Sequence, residues 1–179
     1  MSDRELGIYV NDHITGSTGG LGLARRAASN STDPARTRMW RDLEAELVDE
    51  RRVLKLIRDR IDAKANVPKY HLAWSGEKLG RLKLNGRLIR QSDLGQMLEL
   101  EMLVIGVTGK LALWRALERL DDPRFRDLDI AGLARQAEAQ RSRLEQFRIN
   151  LVPAALGGGN ETGGGKVTTG EPEGSKLKP

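Results

Sequence analysis

The chain has 179 residues, 31% of them charged, a net charge of +5 and no cysteine. That length suits a single domain around one buried core. The missing thiols exclude a disulfide framework, a thiolate zinc site and a cysteine nucleophile.

The first residues, MSDRELGIYVNDH, carry acids and no apolar run, so no signal peptide is expected there and a cytoplasmic location is the default. The positive charge is local. Residues 68–90 hold Lys69, Lys78, Arg81, Lys83, Arg87 and Arg90 against the single acid Glu77, which accounts for the whole +5.

The chain then punctuates itself into helices. Ser2 followed by Glu5 is a capping-box pattern that places a first helix at about 3–28. Its inward face is expected to run Leu6, Tyr9 or Val10, His13, Ser17, Gly20, Ala24 and Ala27. Asp33 as N-cap and Pro34 at the first helical position open a second helix, about 34–63. There Leu43, Leu47, Glu50, Leu54, Ile57 and Ile61 alternate steps of four and three, a heptad-like seam with one carboxylate in it.

Asn66, Val67 and Pro68 end that pattern. Residues 68–91 predict a short amphipathic helix with Tyr70 and Trp74, followed by an extended turn at Asn85-Gly86. Ser92, Asp93 and Gln96 cap a central helix over 93–121, the most apolar run of the chain. Leu98, Glu101, Ile105, Thr108 and Ala112 share one of its faces, which is expected to turn inward. Leu100, Leu103, Val104, Val107 and Leu111 widen the apolar surface well beyond it, as suits a helix buried among several others. Glu101 would then need a polar partner in the core. Glu101 and Lys110 interrupt the run, so it does not predict a membrane span. Asp129 caps a last helix over 130–152, with Ile130, Leu133, Ala137, Leu144, Phe147 and Leu151 on its apolar face and Pro153 closing it. The final 23 residues contain eight glycines and no apolar pattern, which predicts a disordered tail over 157–179 behind a bundle domain over 1–156.

Short links join helix one to two and three to four, and a link of more than 25 residues joins two to three. Four long helices with one long central crossover form the ferritin-like arrangement, so the expected fold is an all-α, ferritin-like up-down four-helix bundle. The stretches YVNDHITG, VDERRVL, GEKLGRLKLNGRL, LELEMLVIGVTGKLALW and AEAQRSRLEQFR together resemble a ferritin-like family of uncharacterised (actino)bacterial proteins, over roughly residues 5–152. Such a resemblance implies a di-iron or di-manganese centre, with a lone Glu on two helices and Glu-x-x-His on the other two.

Carried over residue by residue, that centre is incomplete. Glu101 suits the third helix. Glu50 and Glu138 suit the second and fourth, but Val53 and Arg141 stand where their histidines belong, and the first helix offers His13 instead of Glu. This argues against a di-iron oxidase. A single iron, manganese or zinc ion held by His13, Glu50 and Glu101 is one reading. The other is metal-free: either a buried polar network of His13, Glu50 and Glu101 with an arginine such as Arg115 or Arg141 as the counter-charge, or Glu50 and Glu101 at the core margin with their heads in water. Trp40, Trp74 and Trp114 are expected to be packing anchors.

Two further readings remain. Thr15-Gly16-Ser17-Thr18-Gly19-Gly20-Leu21-Gly22 matches the phosphate turn of short-chain dehydrogenases, which would bind NAD(P), but that turn requires a preceding strand at about 8–14. On a helix, the same glycines would let the first helix pack closely. The basic stretch 68–90 either docks an anionic partner such as RNA, an acidic protein or a headgroup, or pairs with the acid-rich second helix. The sequence thus favours a non-catalytic binding or assembly protein without a resident cofactor, capable of homo-oligomerisation. An atypical metal-binding bundle is the alternative.

Overall fold

The computed structural model describes residues 3–61 and 92–157. Among them are four α-helices, α1 (Asp3–Asn30), α2 (Pro34–Arg60), α3 (Asp93–Leu120) and α4 (Ile130–Leu156), with a short 3₁₀ turn at Pro123–Phe125. No described residue lies in a β-strand. The helix ends follow the capping residues. The Asp33 carboxylate accepts from Ala35 N at 2.9 Å, the Ser92 hydroxyl from Gly95 N at 3.1 Å and the Asp129 carboxylate from Gly132 N at 2.7 Å. Gln96, expected to serve the same cap, accepts from the Arg36 guanidinium instead. Helix α3 stops at Asp121, which turns left-handed at φ 47°.

Pro153 does not close α4, which runs on to Leu156. A proline so near the end removes only one hydrogen bond, and Ile149, whose carbonyl loses it, is 48% exposed. The dehydrogenase reading falls, because residues 8–14 and the whole glycine run lie inside α1. Thr15, Ser17 and Thr18 donate to carbonyls of Asn11 and Ile14 within that helix. Close packing of α1 is absent at Gly16 and slight at Gly20. A Cβ on Gly16 would meet nothing within 4 Å, and one on Gly20 would touch Leu103 only at 4.0 Å.

Cross-helix pairs set the topology. Arg25–Glu44 and Arg51–Thr18 join α1 to α2 in antiparallel order, and Arg115–Glu138 and Arg148–Glu101 do the same for α3 and α4. Between α2 and α3 the pairs Arg36–Gln96 and Glu50–Lys110 keep a constant offset of 60 residues. Those two helices are therefore parallel, and the order is up, down, down, up. Ile61 and Ser92 lie at opposite ends of a bundle about 40 Å long. The backbones run together most extensively along α3/α4, then α1/α2 and α1/α3, and least along the remaining pairs, α2/α4 among them.

The heptad seam of α2 is buried throughout, from Leu43 to Ile61, and Val10 rather than Tyr9 fills the inward position on α1. Trp40 and Trp114 are core residues, each 4% exposed or less. Each large aliphatic side chain so buried contributes roughly 1.5–3 kcal/mol. No helix among the described residues is long and apolar enough to cross a membrane. The Ser2 half of the first cap, the expected features of 68–91 including Trp74, and the expected tail beyond Gly157 lie outside the described residues.

Candidate functional site

The inward face of α3 differs from the expected one. Ile105 is 55% exposed, and Glu101, Thr108 and Ala112 are exposed as well. Leu103, Val107, Lys110, Trp114 and Leu117 are buried in their place. This run repeats the four-three spacing of the α2 seam. Its single polar member, Lys110, points into the core and is 9% exposed. Opposite it lie Glu50 of α2, between Leu47 and Leu54, and Gln140 of α4, between Ala137 and Leu144, at 2% and 1% exposure.

These three side chains form a closed network. Lys110 Nζ donates to Glu50 Oε2 and to Gln140 Oε1. Gln140 Nε2 donates to Glu50 Oε1 at 3.0 Å and to Glu46 Oε2 at 2.8 Å. Arg143 Nη2 donates to Glu46 Oε2 at 2.7 Å from the edge of the same seam. The Gln140 orientation follows from its neighbours, since a flipped amide would put NH₂ against the ammonium. Both oxygens of Glu50 are satisfied, so its burial leaves no unpaired acceptor.

The electrostatics balance. Two carboxylates, Glu46 and Glu50, face two cations, Lys110 and Arg143. Burial pushes the Glu50 carboxyl above the ordinary range, against the pull of the Lys110 ammonium beside it. Burial likewise holds Lys110 below the ordinary lysine range, against the attraction of Glu50. Desolvation thus outweighs attraction at both ends of the pair, as is common for buried ion pairs. The network bridges α2 and α4, whose backbones run together little.

The other expected ligands do not join Glu50. Glu101 is on the outside, with its side chain 47% exposed and a long 3.8 Å contact to Arg148. Glu138 is half-exposed between Arg115 at 3.3 Å and Arg141 at 3.9 Å, which also takes both expected counter-charges away from the core. His13 packs edge-on against Tyr9 on α1, with ring centroids 4.9 Å apart. Burial lowers the His13 pKa from its ordinary 6.5, opposed by Asp12. Among the described residues no three His, Asp or Glu are grouped to hold a metal. The donor set around Glu50 suits a metal poorly as well, because its charge is already matched by Lys110.

Lys110 and Gln140 escape a reading of the sequence alone for definite reasons. An apolar run on nearly all sides of α3 leaves its rotation ambiguous, and Lys110 looks like an interruption of that run. Gln140 sits inside the seven-residue step from Ala137 to Leu144 of an otherwise apolar face. The proposed partner-binding residues Lys69, Lys78, Arg81, Lys83, Arg87 and Arg90 lie outside the described residues. No family model, no curated protein and no solved structure matches the chain.

Proposed function

We propose that this chain is a non-catalytic, ferritin-like bundle that serves in binding or assembly, with its own Lys110 ammonium, in place of a metal ion, as the counter-charge of the central Glu50 carboxylate. The observation that carries this reading is the position of Lys110 Nζ, shared between Glu50 Oε2 and Gln140 Oε1 at the middle of the bundle. An internal cation neutralises the carboxylate without an open coordination position. It therefore removes the chemistry that ferritin-like centres owe to their metals. The up, down, down, up order, with one long link between α2 and α3, supports the ferritin-like part of the reading. In this reading the basic stretch carrying Lys69, Lys78, Arg81, Lys83, Arg87 and Arg90 is the element that meets an anionic partner.

Metal analysis of protein purified without added metal is the direct test, combined with melting curves in iron, manganese and zinc. The expected result is no stoichiometric metal and no metal-dependent rise in melting temperature. One tightly held ion per chain, lost on Glu50→Gln, would overturn the proposal in favour of the metal-binding alternative.

A further inference from the structure

The outer face of α3 is apolar at its centre and charged at its ends. Ile105 is 55% exposed, and Thr108, Ala112 and Ala116 follow it along the same exposed face at steps of three and four. The Thr108 hydroxyl already donates to Val104 O at 2.7 Å, so covering it removes no needed water contact. A Cβ built on Gly106 or Gly109 would meet nothing within 4 Å, which leaves helix backbone open beside Ile105. Glu101 lies at the N-terminal end of this face. Arg115 and Arg119 lie at its C-terminal end, and all three are exposed.

We infer that this face binds a second copy of the chain, with the two α3 helices antiparallel about a two-fold axis. The charges choose both the partner and the direction. With the axis between Thr108 and Gly109, Ile105 faces the partner's Ala112. Glu101 faces the partner's Ala116, between the partner's Arg115 and the partner's Arg119. Each contact is made twice, as two-fold symmetry requires. A parallel pairing would set acid against acid and arginine against arginine, which is repulsive. The contacts that Glu101 and Arg115 make within the chain, 3.8 Å to Arg148 and 3.3 Å to Glu138, are exposed and easily exchanged. One helix face is a small interface, near the lower bound of about 1,000 Å² for specific association, so the dimer depends on concentration.

Sedimentation of the full chain over a dilution series tests this, with circular dichroism on every variant. The wild type is expected to approach twice the 19.8 kDa chain mass as concentration rises. Ile105→Glu should stay at the monomer mass with unchanged helix content. Glu101→Arg should weaken association at least about tenfold. Adding Arg115→Glu and Arg119→Glu to that variant should restore it. A wild type that is monomeric throughout, or an Ile105→Glu variant that still dimerises, would overturn the inference. So would loss of helix content in Ile105→Glu beside a monomeric wild type, because the face would then be covered within the chain.

Discussion

Lys110 and Glu50 meet across the bundle from two parallel helices, 60 residues apart in the chain, and each is the one charged residue on an otherwise apolar inward seam. Burial works against the charged form of both, so neither is expected to tolerate losing the other. Glu50→Leu alone or Lys110→Met alone should cost about 3–5 kcal/mol, because each strands an uncompensated buried charge. The double replacement should recover much of that loss, since no charge is left buried alone, and fall short of wild type by about 1–3 kcal/mol for the Gln140 Oε1 that loses its donor. Denaturant unfolding of the four proteins measures this. Additive losses in the double variant would show that the two groups are not coupled.

His13 supplies a pH dependence with a definite sign. Its folded-state pKa lies below 6.5, so its contribution to stability is present above that value and is lost as pH falls through the lower folded one. Glu50, with a raised pKa, acts in the opposite sense. The lowered pKa values of Asp33, Asp122, Asp127 and Glu145 matter only in more acidic solution. Between about pH 7 and 5, the melting temperature of wild type should therefore fall more than that of His13→Gln. Parallel curves would remove His13 from the account.

Gly16 sits on the exposed side of α1, where an added Cβ would meet nothing. Gly16→Ala is accordingly expected to stabilise the protein by up to about 1 kcal/mol, through the lower helix propensity of glycine alone. A lower melting temperature would mean that a neighbour approaches Gly16 after all.

The basic stretch can be separated from the bundle by charge reversal. Converting Lys78, Arg81, Lys83 and Arg87 to Glu together should abolish retention on an anionic column at moderate salt and leave the melting temperature unchanged. A drop in melting temperature would instead show that these cations pair within the chain.

The sequence marks the helices clearly because α2, α3 and α4 each start at a side-chain cap and α2 carries an unbroken heptad of buried positions. Rotation about the helix axis is legible for α2 and α4, where polar residues occupy one side. It is not legible for α3, where apolar residues surround the axis and only packing decides which side faces in. That ambiguity put Glu101 inside and left Lys110 out. Glu50 could be placed from its own helix. Its partners could not, since Lys110 and Gln140 come from helices whose relative height is set only when the bundle closes. The glycines of α1 mislead for a related reason. Their pattern is compatible with a phosphate turn or a tight helix contact, and only the neighbours of each backbone position distinguish these from open surface.

The long separation between Glu50 and its partners also has a meaning in time. Lys110 is synthesised 60 residues after Glu50, and Gln140 another 30 later. At about 5–20 residues per second, the α1–α2 hairpin waits roughly 5–20 s before its seam is fully covered. During that interval Glu50 interrupts the apolar seam from Leu43 to Ile57 with a solvated negative charge. Another nascent copy that docked on this seam would have to bury that charge before Lys110 exists to meet it. The carboxylate that ends up at the centre of the finished bundle thus makes docking on the half-made one costly.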